Sequence, residues 1–170
     1  MTKMEKLKVL FICKDNSVRS QMAAAFLNRY FGDHYEAYSA GLEPSEINPY
    51  TKKVMEEIGI DISSNCAKSI EEYRGKKFDC IISLCDYAAA SSSRFPECKK
   101  KLNNYFKGYC TPIFCEIAEK SDACFPEHKK LRGKINKGPS DVKDTEKEIL
   151  AAFRCLREEI FDWIEKEAMF

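Results

Sequence analysis

The chain has 170 residues, and its 28 basic and 27 acidic side chains give a formal net charge of +1. This length suits one domain with a substantial core, and the balanced charge argues against nucleic acid or an acidic membrane as a partner. The chain shows no stretch long and apolar enough for a signal peptide or a membrane span, so we expect a cytoplasmic monomer. Its nine cysteines, an odd number without a secretion signal, indicate reduced thiols rather than a disulfide scaffold.

The first predicted strand, over 8–12, leads into a polar loop and a predicted helix over 19–31 that Gly32 ends. The loop begins at Cys13, and Arg19 follows six positions later. Backbone N–H groups of such a loop and the helix N-terminus favour a tetrahedral oxyanion, and a guanidinium binds two of its oxygens. The same positive field is expected to lower the pKa of Cys13 and make it a nucleophile. The predicted oxyanion-binding residues are Lys14, Asp15, Asn16, Ser17, Val18, Arg19 and Ser20.

Further elements continue the alternation of strand and helix. Strands are predicted over 35–39 and 78–84, and Asn48 and Pro49 form the cap and first residue of a helix that Gly59 ends. A capping box, Thr145-x-x-Glu148, predicts the start of a last helix. Its core stripe consists of Ile149, Phe153, Leu156, Ile160 and Trp163. This order predicts an α/β fold with a parallel sheet whose ligands bind at the carboxyl ends of the strands.

The sequence resembles the low-molecular-weight phosphatase superfamily and, within it, the arsenate reductases that thioredoxin recharges. The motifs that carry the resemblance are CKDNSVRSQMA from Cys13, the Ser39-Ala40-Gly41 signature, the run 40–63, and the segment 84–89. The resemblance implies a doubly wound four-stranded parallel sheet, low-molecular-weight phosphatase-like (phosphotyrosine phosphatase I-like). It also implies reduction of arsenate to arsenite through a Cys13 adduct and a disulfide cascade, with a thioredoxin-like reductant as partner and no cofactor.

Cys85 matches the second redox thiol of these reductases, and it follows the third predicted strand, at the same sheet edge as Cys13. The third thiol of the family is matched by Ser92, which has no redox chemistry. Cys98 is the nearest substitute, and its use as a resolving thiol requires the segment 86–98 to be flexible. The predicted catalytic set is therefore Cys13, Arg19, Cys85 and Cys98.

Two other positions depart from the resemblance. Gly138 stands where the family has a general-acid aspartate, with Asp141 as a nearby substitute, and Ala24 stands where it has a glutamate ligand for potassium. Two alternatives to the reductase stay open. One is a low-molecular-weight protein tyrosine phosphatase, which Gly138 and the reductase-like run 40–63 disfavour. The other is a non-catalytic oxyanion or metalloid sensor, which the missing third cysteine and the cysteine-rich insertion suggest.

The remaining cysteines are predicted to have structural or open roles. Cys80 and Cys155 lie in apolar patterns and are expected in the core, while Cys66 is assigned no role. The residues from about 98 to 138 are expected to form an insertion or lid within a single domain of residues 1–170. Its Cys110, Cys115, Cys124 and His128 have a spacing that is not typical of zinc sites, so no metal is predicted.

Overall fold

The computed structural model describes residues 5–104 and 142–167. Its strands are β1 (Leu7–Cys13), β2 (Tyr35–Gly41), β3 (Lys77–Ser83) and β4 (Glu97–Asn103). All pair in parallel, in the order β2-β1-β3-β4. The three predicted strands are confirmed within two residues at each end, and the four-stranded parallel sheet that the resemblance implied is confirmed as well.

The helices are α1 (Arg19–Phe31), α2 (Pro49–Glu56), α3 (Asp86–Ala90) and α4 (Val142–Glu167), with single turns of 3-10 helix at Ile70–Tyr73 and Ser92–Arg94. Helix α1 connects β1 to β2 on one side of the sheet, and α3 connects β3 to β4 in the opposite direction. Because both crossovers are right-handed, α1 and α3 lie on opposite faces of the sheet. None of the described helices has the length and apolarity needed to cross a lipid bilayer.

Aromatic contacts hold α1 and α4 together on one face of the sheet. The ring of Phe26 lies 5.3 Å from that of Phe161, and Phe11 of β1 meets Trp163 edge-on at 6.4 Å. Of the predicted stripe on α4, Phe153, Leu156 and Ile160 are buried. Burial of such side chains contributes roughly 1.5–3 kcal/mol each, so this stripe anchors the C-terminal helix to the sheet.

A buried arginine joins α2 to α4. Arg157 donates from Nη1 to the carbonyl oxygen of Val54 at 2.7 Å and to Glu57 at 3.1 Å, and Arg154 binds Glu57 from the next turn. Hydrogen bonds from Arg154, and then from Arg157, hold the pKa of Glu57 at about 2. As predicted, Asn48 caps α2 by accepting a hydrogen bond from the backbone N–H of Tyr50.

Three expectations from the sequence are wrong. Residues 98–103 belong to the edge strand β4, so the expected insertion does not begin at 98; its residues 105–138 lie outside the described residues. Helix α4 already includes Val142, so Thr145 lies inside the helix and not at its N-cap. Cys155 is exposed on α4, because the residue next to a core residue on a helix faces away from the core. Cys80 is buried, as expected.

Candidate active site

The loop between β1 and α1 lies at the carboxyl end of β1, where the strand order reverses. Asn16 has a left-handed φ of 55°, a conformation that asparagine tolerates better than most residues. Gly41, at the end of β2, lies against the back of the loop. A Cβ on Gly41 would come within 2.8 Å of the backbone N of Asn16 and the carbonyl carbon of Asp15, so only glycine permits this approach.

Backbone hydrogen bonds turn the carbonyl groups of the loop outward. The residues after β2 donate their N–H groups to the loop carbonyls: Leu42 to Cys13, Glu43 to Lys14, Ser45 to Asp15 and Asn48 to Ser17, at 2.8–3.3 Å. Because an outward carbonyl leaves the adjoining amide free to face inward, this arrangement lines a cradle with positive N–H dipoles, as an oxyanion requires.

The side chain of Asn16 is the central support of the loop. Its Oδ1 accepts from Gln21 at 3.0 Å and from the backbone N–H of Lys68 at 2.9 Å, and its Nδ2 donates to Ser20 Oγ at 2.8 Å. All these bonds hold the loop in shape. Among the predicted anion-binding residues, Asn16 therefore has a side chain whose hydrogen bonds support the loop.

The sulfur of Cys13 is fully buried at the base of this cradle. Ser20 Oγ lies 2.9 Å from Sγ, and because Asn16 Nδ2 already donates to that oxygen, the hydroxyl proton can point at the sulfur. The backbone N–H of Asn16 also donates to Sγ at 3.2 Å. The thiolate thus has two hydrogen-bond donors in place before any substrate arrives.

The pKa of Cys13 differs from expectation. Burial raises the pKa of the Cys13 thiol; Arg19 and the Ser20 hydrogen bond act to lower it, whereas the carboxylate of Asp15 raises it further. The prediction of a lowered pKa is therefore wrong. The main reason is the burial of the sulfur, and the carboxylate of Asp15, whose Oδ1 lies 3.8 Å from Sγ, adds to the rise.

Removing that charge is expected to activate the thiol. In an Asp15→Asn variant the pKa of Cys13 should fall, so alkylation of Cys13 at neutral pH, which follows the thiolate fraction, should accelerate on the order of tenfold. The measurement is the rate of iodoacetamide labelling of the Cys13 peptide as a function of pH. Asp33→Asn, an exposed aspartate before β2, is the control. An unchanged pH profile in Asp15→Asn would contradict the electrostatic account.

Arg19 connects the loop to the second predicted thiol. It is buried at the start of α1, and its Nη1 donates to the carbonyl oxygen of Leu84 at 3.3 Å, directly before Cys85. The backbone N–H of Leu84 in turn donates to Ile12 at 2.8 Å, which extends the pairing of β1 and β3. Cys85 is therefore placed beside Cys13 at the same sheet edge, as predicted from the topology.

Cys85 itself is buried at the N-terminus of α3, where its Sγ accepts a hydrogen bond from the backbone N–H of Ala88 at 3.4 Å. The two thiols are close enough for the charge of one to raise the pKa of the other. Proximity of two buried sulfurs at adjacent strand ends is the arrangement that disulfide exchange needs.

The structure does not bring Cys98 to this site. Cys98 lies near the start of β4, opposite Phe78, at the amino end of the sheet. From Phe78, which lies beside Cys98, strand β3 extends roughly 16 Å to Ser83 before the chain reaches Cys85. A disulfide requires Cα atoms about 4.4–6.8 Å apart, so the expected approach of Cys98 to Cys85 is not present in this fold. Ser92 begins the 3-10 turn after α3.

Tyr87 and Glu43, which the sequence did not indicate as site residues, lie at the rim of the site together with Lys14. Tyr87, on α3, donates its hydroxyl to Glu43, and this hydrogen bond raises the pKa of Tyr87. Lys14 lies with its Nζ 4.0 Å from Glu43 and 5.3 Å from the centre of the Tyr87 ring. Lys14 is thus a rim residue rather than part of the cradle. The one sequence feature that could have indicated Tyr87 as a site residue is its position two residues after Cys85.

The other expected site residues are partly accounted for. Val18 is buried as the residue before α1, and the N–H of Ser17 points toward the carboxylate of Asp15 at 3.1 Å. Ala24 is buried on α1. Several predicted positions lie outside the described residues: Cys110, Cys115, Cys124, His128, Gly138 and Asp141.

The model of the family described as "low molecular weight phosphotyrosine protein phosphatase" matches residues 8–137, which include the loop, Cys85 and all of the four strands except Leu7. The chain belongs to this family. Among members of the low molecular weight phosphatase family, it is similar to proteins named arsenate reductase. One, from Halalkalibacterium halodurans, is 39% identical over 100 residues, which are 59% of this chain and 72% of the relative.

A second arsenate reductase, from Bacillus cereus (strain AH187), is 34% identical over 114 residues, covering 67% of this chain and 83% of the relative. A solved structure described as an arsenate reductase in the phosphate binding state superposes with a TM-score of 0.60. It is 24% identical and covers 94% of this chain and 95% of its own. At that identity the superposition establishes the low molecular weight phosphatase fold for this chain.

Proposed function

We propose that this protein is an arsenate reductase that converts arsenate to arsenite. The observation that carries the proposal is the pair of buried thiols, Cys13 in the oxyanion loop and Cys85 at the adjacent strand end. The similarity to proteins named arsenate reductase supports the same assignment.

The proposed cycle starts when the Cys13 thiolate attacks the arsenic atom of arsenate, and one protonated oxygen leaves as water. The Cys85 thiolate then attacks Cys13 Sγ; the sulfur–arsenic electron pair stays on arsenic, which is reduced from As(V) to As(III) and leaves as arsenite after taking up protons. A Cys13–Cys85 disulfide remains, and an external dithiol of the thioredoxin type returns two electrons and two protons to it. Such a cycle requires a reducing compartment, for which the cytoplasm is the proposed location.

The second thiol favours this reaction over phosphate ester hydrolysis. A phosphatase with the same Cys13 nucleophile needs a general acid for the leaving alkoxide and has no use for Cys85. The family position for that acid holds Gly138 in the sequence. For these two reasons a tyrosine phosphatase is only the second candidate.

The test is to incubate reduced protein with arsenate and map disulfides by mass spectrometry. We expect a Cys13–Cys85 disulfide that forms only with arsenate, together with arsenate-dependent oxidation of a thioredoxin system. Brisk hydrolysis of an aryl phosphate, with arsenate inert, would assign the protein as a phosphatase instead.

Cys98→Ala is expected to sustain multiple turnovers at close to the wild-type rate, contrary to the expectation from sequence. The reason is its place in β4, at the far end of the sheet from both site thiols. Steady-state oxidation of the thioredoxin system by arsenate is the measurement. Arrest after a single turnover would show that β4 leaves the sheet during the cycle and that Cys98 is the resolving thiol.

A further inference from the structure

The carboxylate of Asp15 is turned into the oxyanion loop. Asp15 is only 7% exposed, its Oδ1 accepts the backbone N–H of Ser17 at 3.1 Å, and the same oxygen lies 3.8 Å from Cys13 Sγ. Its second oxygen, Oδ2, is buried and accepts no hydrogen bond from the residues that the structure describes. A buried carboxylate oxygen without a donor is costly, which indicates that a donor arrives from a ligand.

A bound oxyanion must lie next to this carboxylate. The N–H of Ser17 and the sulfur of Cys13 both face the cradle, and Asp15 Oδ1 contacts each of them. The other charged or titratable groups at the sulfur are Arg19 and Cys85, while Lys14 is held at the rim by Glu43. Arg19 attracts any anion, so it cannot distinguish one tetrahedral oxyanion from another. Asp15 can.

We propose that Asp15 makes this loop selective for oxyanions that carry a proton, arsenate and phosphate, against sulfate, which carries none at neutral pH. An As–OH or P–OH group can donate its hydrogen to the unpartnered Oδ2, and that bond offsets the repulsion between the two negative charges. Sulfate has no hydrogen to donate, so it meets the carboxylate as a like charge. The inference rests on the proposed function, because it takes the loop to bind a tetrahedral oxyanion.

The expected selectivity is large. Sites that accept a hydrogen bond from a ligand hydroxyl reject analogues without that hydroxyl by factors of up to roughly 10⁴–10⁵, because a buried polar group is left unpaired. For this loop we expect phosphate to bind at least about 100-fold more tightly than sulfate.

The experiment measures phosphate and sulfate affinities by titration calorimetry at pH 7 for the wild type and Asp15→Asn. Asparagine keeps an acceptor for the Ser17 N–H, removes the charge, and adds an N–H donor. The ratio of phosphate to sulfate affinity should fall at least tenfold in this variant, mainly because sulfate gains affinity. Asp86→Asn, an exposed aspartate on α3 at the same edge, should leave the ratio unchanged. Circular dichroism checks folding, and Asp15→Gly replaces Asp15→Asn if that variant unfolds.

Two results would overturn the inference alone: a wild type that binds sulfate as tightly as phosphate, or an affinity ratio that Asp15→Asn leaves unchanged because both anions gain equally, which would make Asp15 a simple competitor. Failure of the wild type to bind phosphate, sulfate or arsenate would contradict the oxyanion site itself and the inference with it. Arsenate-dependent oxidation of the thioredoxin system tests the proposed function separately, since that assay contains no sulfate.

Discussion

Cys85→Ser is expected to reduce arsenate-dependent oxidation of the thioredoxin system to background while phosphate still binds. A serine hydroxyl at this position cannot attack Cys13 Sγ to form a disulfide, so electrons cannot reach arsenic. We expect the loop to stay intact, because the hydrogen bond from Arg19 to the carbonyl oxygen of Leu84 is made to the backbone and does not depend on the side chain at position 85. Coupled turnover with arsenate and phosphate titration of the same preparation measure the two effects.

Cys155→Ser is the matched control for this change. Cys155 is an exposed thiol on α4, and its replacement should leave turnover at the wild-type rate. If Cys85→Ser continued to turn over, another cysteine would be the electron donor, and the pairing of Cys13 with Cys85 would be wrong.

Arg19→Lys is expected to weaken phosphate binding about 10- to 100-fold, although the positive charge is kept. A lysine ammonium is a point charge that cannot bind two oxygens as the planar guanidinium does. Lysine also loses the 3.3 Å hydrogen bond from Arg19 Nη1 to the carbonyl oxygen of Leu84, which links the loop to the residue before Cys85. Turnover with arsenate should therefore fall further than phosphate binding.

Phosphate titration and the kcat and KM for arsenate check this expectation. Arg74→Lys provides the comparison, because Arg74 is exposed and paired with Glu71 of the 3-10 turn Ile70–Tyr73. Wild-type binding and turnover in Arg19→Lys would exclude Arg19 as the anion clamp.

The parts of this molecule that could be predicted are those encoded by local signals. The strand, loop and helix around Cys13 follow from an apolar run, a residue that tolerates a left-handed backbone, and an amphipathic helix. The place of Cys85 follows from topology, because carboxyl ends of parallel strands share one edge. The cap at Asn48 is equally local.

Other features depend on contacts between distant residues, which a single sequence does not reveal. Strand β4 has mostly charged and exposed residues, since it is an edge strand, and this composition concealed both the strand and the true position of Cys98. The inward turn of Asp15 depends on the Ser17 N–H that it accepts. The sequence places Asp15 in the loop but does not show on which side of the loop its carboxylate lies.

The outward hydrogen bonding of the loop carbonyls has a consequence for protein engineering. Residues 42–48 supply the donors and Gly41 supplies the clearance, so the shape of the cradle is determined largely by a segment about thirty positions downstream. A transplant of residues 7–31 into another α/β scaffold would carry the nucleophile and the arginine but not the template that shapes the loop. A functional graft must include 41–51 as a second piece, joined in the same register of β2 beside β1.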